Sequence, residues 1–503
     1  MLKKVSSKKI KLFALSVVII LSSQVMLKIP INSKFNPLIL LLIGFTGIFF
    51  YSVDLSNIRS LAKNAAMTII IFGTVISLAK PVQFGLDEET HLRNTLRLAD
   101  GFIIQFEKEN LPDVSSVYRH DILRSPDTYT DNNYWLNVEH QDSQFSGKII
   151  GLNNIAYLPS AIGWNLGKLI SSKIFISYYL GRIANVLVYA LLVFLAIRYS
   201  RTYKEIIYLF GTFPAILYIC AGYHYDFLYY GASLILVAIF TNILRQVSAI
   251  TRRQMISYFL LTFLFTFAKF PYILLGALIC LLPNRYYKNI NHRIKVCLFF
   301  LLQLVLSLLY YLNGSIIRKI TGGVIVIIPS ETSLGYFLSH PIPAIRTLLI
   351  STLSGSLNSF SRALEYTIIE SEVLQSISLI IFLLLFFTLS LKLNLKVTSF
   401  TKLTIFTLFM GISILIIYAI SGDSRVYHPG DIWIGGVQGR YYYLMLLFLP
   451  IIFSPLIRNL ILPDVNQLLD PENNSSKFMQ YSIAYLNILT ISIAIYTQIP
   501  HKL

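Results

Sequence analysis

The sequence predicts an all-α polytopic membrane protein with about thirteen transmembrane helices, on three observations. The 503-residue chain is 55% hydrophobic and 13% charged, with a mean hydropathy of +0.65. Apolar runs approaching the roughly 20 helical residues that cross a bilayer recur from end to end. Between them lie short basic loops, so the net charge of +18 reads as a membrane-orientation signal and not as one nucleic-acid-binding patch.

Taken in order, the first span, 12–29, follows a Lys-rich start (Lys3, Lys4, Lys8, Lys9, Lys11) that resembles a signal peptide. No convincing small-x-small cleavage site follows it, so it reads as an uncleaved anchor. Spans at 38–53 and 65–79 come next, and residues 1–64 are set apart as N-terminal membrane helices. The main region, 65–456, continues with spans at 174–197, 206–222, 227–244, 255–268, 271–283 and 296–312, then 373–391, 403–420 and 441–456. A C-terminal segment, 457–503, holds a cytoplasmic loop and a last span at 479–497.

If the Lys-rich start is cytoplasmic, the inner segments are 1–11, 54–64, 198–205, 245–254, 284–295, 392–402 and 457–478. They hold 22 of the 42 Lys and Arg residues but 5 of the 24 Asp and Glu, so nearly all the net positive charge is inner. Three large hydrophilic regions, 80–173, 313–372 and 421–440, then face outside, and function is expected there.

The first outer region is acidic, with 7 basic and 12 acidic residues between Lys80 and Ile155. Leu92, Leu96, Ala99, Ile103 and Phe106 recur at three- and four-residue steps, predicting an amphipathic helix from Glu89 to Phe106 along the outer surface. Residues 113–146 read as a polar loop, solvated or facing a hydrophilic partner. In the second outer region, 322–329 reads as an extended run and 335–350 as a stretch that could re-enter the membrane. There is no internal repeat and no Walker-type phosphate loop. Cys220, Cys280 and Cys297 fall in or beside spans with no CxxC and no His at ligand spacing, so they read as packing residues and no metal site is assigned.

The chemistry-bearing residues begin with Asp87, Glu88 and His91, which put carboxylates and an imidazole directly after a hydrophobic span. A carboxylate there could take a proton from an attacking hydroxyl; equally, acids at a helix start are favoured by the helix dipole. Arg182, Asp226, Lys269 and Arg440 lie within or at the edge of spans, where a charge costs ~2.5–3.5 kcal/mol and is expected to face the bundle interior. Snorkelling to the headgroups is the rival reading for Lys269 and Arg440. His224, in the turn Tyr223–Asp226, reads as a hydrated turn histidine before it reads as a proton carrier. Gln438 and Arg440 follow a glycine-rich approach and could grip a phosphate or a sugar.

Asp87-Glu88-x-x-His91 after Pro81, Tyr157-Leu-Pro159, Leu180-Gly-Arg182-x-x-Asn185, Tyr225-Asp226, Lys269-Phe-Pro271-Tyr272 and Gly436-Val-Gln438-Gly439-Arg440-Tyr441 occur in that order between about residues 80 and 456. The set resembles a family of predicted bacterial multi-spanning membrane proteins placed in the GT-C superfamily of glycosyltransferases. That resemblance implies a polyprenyl-phosphate sugar donor and an acid in the first large outer loop as catalytic base, which maps to Asp87. Nucleotide sugars are made in the cytoplasm, so an outward-facing transferase needs its sugar carried across on lipid. The two spans before residue 64 depart from the simplest pattern of that superfamily.

The expectation is therefore a multi-pass cell-membrane enzyme, its site facing outside, that transfers a sugar from polyprenyl phosphate to a cell-envelope glycan with inversion. Asp87 is the expected base, supported by Glu88 and His91. Arg440, Lys269 and Arg182 are the expected ligands of the donor phosphate, and Tyr225, Asp226, Tyr272 and Gln438 bind substrate. No cofactor is assigned with certainty, and a divalent metal, magnesium or manganese, is left open. The rivals are a polymerase of lipid-linked repeat units, a flippase for lipid-linked saccharides and an inactive envelope scaffold.

Overall fold

The computed structural model describes residues 7–26, 37–80, 82, 85, 87–101, 103–110, 138–246, 248–321, 333–364, 372–393, 395, 397–461 and 474–497. These residues are mostly helical. In chain order the helices are α1 (Ser7–Met26), α2 (Leu38–Ser52), α3 (Leu61–Ala79) and α4 (Glu88–Ala99), then, after a hairpin, α5 (Leu158–Ile170) and α6 (Ile174–Tyr199). They continue with α7 (Lys204–Gly211), α8 (Pro214–Cys220), α9 (Asp226–Arg245), α10 (Arg252–Ala268) and α11 (Ile290–Tyr311). Next come α12 (Asn313–Thr321), α13 (Ser333–Ser339), α14 (Pro341–Ile350), α15 (Ser356–Ser361), α16 (Glu372–Leu391), α17 (Ser399–Ile420), α18 (Tyr443–Ile461) and α19 (Asn474–Thr497).

Six helical segments among the described residues are long and apolar enough to cross a membrane: Ile58–Ala79, Ile174–Tyr199, Asp226–Arg245, Ile290–Tyr311, Ser399–Ile420 and Ser475–Tyr496. Shorter apolar helices cover Leu38–Ser52, Phe270–Ile279, Gln375–Leu391 and Gly439–Phe453.

Helix α6 is central and packs against α3, α5 and α9. Close approach to α5 depends on small residues: a Cβ added at Gly163 would stand 2.9 Å from the Ala184 Cβ, too near for real atoms. The span expected at 206–222 is instead two short helices, α7 and α8, because Pro214 lacks the amide that would continue the first. Carbonyls at the break are satisfied by neighbouring helices, Gly211 by the Tyr189 hydroxyl at 3.1 Å and Thr212 by Asn487 Nδ2 at 3.0 Å. The span expected at 271–283 is a 3-10 helix, Phe270–Ile279, with Pro271 in its first turn.

The amphipathic helix forms, but it ends at Ala99 and not at Phe106. Gly101, at φ +85°, supplies the left-handed residue that ends a helix, and alternating polarity then favours a strand. Strand β1 (Ile104–Asn110) pairs antiparallel with β2 (Gln144–Leu152), Ile104 opposite Leu152 and Asn110 opposite Gln144. The polar loop expected at 113–146 therefore ends in strand, while residues 111–137 lie outside the described ones, as do 322–329. Residues 335–350 are helical, in α13 and α14.

The packing gives the bundle two unlike ends. α3 and α10 finish, and α4, α6, α9 and α18 begin, beside Asp87, Asp226, Lys269 and Arg440. At the other ends of α6, α9, α10 and α11 lie Arg198, Arg201, Arg245, Arg252, Arg253, Arg293 and Lys295. That segregation is the charge bias of the sequence expressed in three dimensions.

Candidate functional site

Asp87 caps the start of α4 with φ 52° and ψ 23°, the single non-glycine in the left-handed region among the described residues. An aspartate at a helix start ordinarily accepts from the first amides, but this side chain makes no capping bond. Its Oδ2 lies 3.0 Å from Arg440 Nη2, and the side chain is 60% exposed while Arg440 is only 3% exposed. A carboxylate open to solvent thus rests on a buried guanidinium.

Behind that pair lies a fully buried carboxylate. Asp226, first residue of α9, has Oδ1 3.1 Å from Lys269 Nζ and Oδ2 3.7 Å from Arg440 Nε. These groups are ion-paired without completed hydrogen-bond geometry. Lys269 interrupts the run from α10 into the 3-10 helix, its Nζ 4.1 Å from the Tyr441 ring centroid and 5.2 Å from that of Tyr225. The cation is thereby held between aromatic faces, a favourable setting where water is scarce.

His224 joins Arg440 to Asp226. Its Nδ1 is 2.9 Å from the Asp226 amide nitrogen and 3.5 Å from Asp226 Oδ2, and its Nε2 is 2.9 Å from Arg440 Nη1. A neutral imidazole accepts at one nitrogen only. With the proton on Nε2, Nδ1 accepts from the Asp226 amide and the ring faces Arg440 with a donor; with the proton on Nδ1 the ring accepts from Arg440 and donates toward Asp226 Oδ2 but loses the amide bond. The His224 and His91 rings lie 3.9 Å apart, and His91 Nδ1 is 2.5 Å from the Tyr157 hydroxyl. Burial pushes His91 down to about 4, with Asp226 opposing part of that fall, and burial likewise pushes His224 well down. Both imidazoles are neutral near pH 7.

Glu88 and Arg182 form a separate pair beneath this group. Arg182 Nε and Nη2 each lie 2.8 Å from a Glu88 oxygen, and both side chains are buried. Arg182 Nη1 also donates to the carbonyls of Ser77 and Lys80, at 3.0 and 2.7 Å. Glu88 further accepts from the amides of Gly85 and Tyr223, at 2.9 and 3.0 Å. Burial alone would raise Glu88, but Arg182 and Lys80 outweigh it and hold the carboxyl at about 2. Lys80, beside it, is pushed by burial down to about 7.

The structure therefore brings Asp87, His91, Asp226, Lys269 and Arg440 into one group, with Tyr225 against it, and sets Glu88 and Arg182 below as an anchor. In that place Arg182 ties α6 to the start of α4 and its guanidinium is engaged by protein groups. Tyr272 is buried, its hydroxyl donating to the Tyr441 carbonyl. Gln438 is half-buried, and its Oε1 has no hydrogen-bond partner among the described residues. His224 is buried and bonded, not hydrated; the signal for this was its place two residues before a charged helix start. Tyr157 and Lys80 carried no functional signal in the sequence beyond a motif position and a charge at the end of a span. Among the described residues no three His, Cys, Asp or Glu side chains are grouped to hold a metal ion, and Asp87 and Asp226 both face cations that such an ion would have to displace.

Residues 70–453 match the model of one family, described as Predicted membrane protein (DUF2142). No curated protein and no solved structure matches the chain. The whole Asp226 group falls inside the matched stretch, whereas α1, α2 and α19 fall outside it.

Proposed function

The chain belongs to the Predicted membrane protein (DUF2142) family, and we propose that it is a GT-C-type glycosyltransferase using a polyprenyl-phosphate sugar on the outer face of the cell membrane. One observation carries this reading: Asp87, in a strained backbone conformation, gives up helix capping to hold a solvent-open carboxylate on the buried Arg440. Acid and cation stand together where an acceptor hydroxyl and a lipid phosphate would meet, at the end of the bundle away from its basic loops.

The acceptor oxygen attacks the anomeric carbon from the face opposite the phosphate. Its O–H proton passes to Asp87 as the new C–O bond forms, the old C–O bond to phosphate breaks, and polyprenyl phosphate leaves with that electron pair. The leaving phosphate develops charge against Arg440 and Lys269. Arg440 is engaged by Asp87 before the donor arrives; a phosphate oxygen taking one arm of the planar guanidinium frees the carboxylate for the acceptor. Asp226 holds both cations from behind, His224 holds Arg440, and Glu88 with Arg182 fixes the backbone that presents Asp87. Tyr225 and Gln438 border the place the sugar would take.

Mass spectrometry of envelope glycans from cells with and without the protein tests the reading. A missing sugar with its polyprenyl-phosphate donor accumulated is the expected result. Unchanged glycans, or a lipid-linked saccharide trapped on the inner leaflet, would overturn it, the latter in favour of a flippase.

A further inference from the structure

The helices outside the family match, α1, α2 and α19, meet one another, and α2 and α19 lie against α3. The contacts are specific: Ser23 and Ser492 hydroxyls are 2.6 Å apart, and Asn64 Nδ2 donates to Gln480 Oε1 at 2.7 Å. Where α1 begins, α2 ends and α19 begins, they enclose a cavity of about 180 Å³. It opens at the start of α3, whereas Asp87 follows the end of that 19-residue helix, which puts the two sites about 28 Å apart along it.

The cavity has a mixed lining. Lys8, Lys9, Asp54 and Ser56 supply its polar side chains, and Leu12, Phe50, Val53 and Leu55 its apolar ones. Lys8 Nζ stands 5.7 Å from the Tyr481 ring centroid, and Lys9 Nζ donates to the Tyr51 carbonyl at 2.7 Å, so both cations are positioned. The Asp54 carboxylate accepts from the Ser56 amide and hydroxyl, both through Oδ1, at 3.2 and 2.6 Å. Outside the cavity the same helices carry exposed apolar side chains, Leu15 and Val18 on α1 and Leu40 and Ile48 on α2, a surface fit for acyl chains.

Two cations and one carboxylate lining one cavity, on helices that also expose an apolar surface, match a headgroup that carries both signs. We propose that this cavity binds a phospholipid with a primary-ammonium headgroup, its phosphate diester between Lys8 and Lys9 and its ammonium on Asp54. The ammonium offers three N–H donors to the carboxylate; a quaternary ammonium offers none, and a glycerol headgroup offers no positive charge. The site is independent of the transfer reaction and lies on the opposite end of the bundle.

The test uses the full chain, purified and exchanged into mixed micelles containing equal amounts of phosphatidylethanolamine, phosphatidylcholine and phosphatidylglycerol with the same acyl chains. Lipid retained by the protein is read by native mass spectrometry. The wild type should retain phosphatidylethanolamine in preference. Asp54→Asn, which can still accept from Ser56, should lower that preference about tenfold, the effect of one charge-assisted hydrogen bond. Ser56→Ala, which keeps the carboxylate, should leave the preference intact and so separates loss of charge from loss of the turn. Lys8→Gln with Lys9→Gln should release all three lipids. Equal retention of the three lipids by the wild type, or an unchanged preference in Asp54→Asn, would overturn the proposal.

Discussion

An aspartate before a helix usually turns its carboxylate back onto the first amides; Asp87 turns outward to Arg440 instead, at the cost of a left-handed backbone. Asp87→Asn keeps the size of the side chain and removes the proton acceptor, so transfer by the purified protein should fall by about 10²-fold or more with donor binding retained. Stability should be nearly unchanged, because the side chain is 60% exposed. Near-normal transfer would remove Asp87 from the chemistry. For Arg440, Ala should impair use of the lipid donor far more than Lys, since Lys keeps a point charge but loses the fork that spans Asp87 and His224. Full activity in both variants would reduce Arg440 to a structural partner of Asp226. At this scale the sequence was informative about charges and silent about their pairing. Asp87, Asp226, Lys269 and Arg440 could be named because charges beside apolar spans are costly. That Arg182 would answer Glu88, 94 positions away, depended on how α4 lies across α6, which no local pattern encodes.

Helix α4 shows what an element contributes. Its apolar face, Leu92 and Leu96, packs with Trp164 and Tyr178, and this docking carries His91 to within hydrogen-bonding distance of Tyr157. The 3.6-residue pattern identified that face, but it overran the end of the helix, since Ile103 and Phe106 continued the spacing past Gly101 and into β1. Periodicity sees side chains; a left-handed glycine acts through the backbone. The buried imidazole has a consequence for stability. His91 falls from the usual 6.5 to about 4 in the folded protein, so between those values the unfolded chain binds more protons. Its contribution is complete above pH 6.5 and is lost as the pH falls toward 4, with His224 acting in the same direction. The thermal midpoint in detergent should therefore fall between pH 6.5 and pH 4.5, before Glu88 enters its own range. His91→Gln should flatten that fall in part. A midpoint independent of pH in this window, or an equally steep fall in the variant, would show that the imidazole is already charged in place.

On the scale of the molecule, the orientation in the bilayer decides which substrates can reach the site. The helix ends sort by charge, with Arg198, Arg201, Arg245, Arg252, Arg253, Arg293 and Lys295 at one end and the Asp226 group at the other. The break between α7 and α8 leaves this unaffected, because together they run from the basic end to the site end as one helix would. Exposed positions at the two ends allow a direct measurement: Ser146 on β2 belongs to the site end, and Ser248, between α9 and α10, to the basic end. With exposed Cys297 first replaced by Ser, Ser146→Cys in intact cells should react with a membrane-impermeant thiol reagent, and Ser248→Cys should react only after the membrane is opened. The reverse labelling would put Asp87 and Arg440 on the cytoplasmic side, where nucleotide sugars are available and a lipid-linked donor has no advantage. The mechanism would then lose its reason for a polyprenyl phosphate, even with the geometry of the site unchanged. The same experiment places Lys8, Lys9 and Asp54, because α3 holds their cavity and the Asp226 group at opposite ends. Ser146 outside and Ser248 inside would make the lipid cavity an inner-leaflet site, facing away from the transfer chemistry across the same bundle.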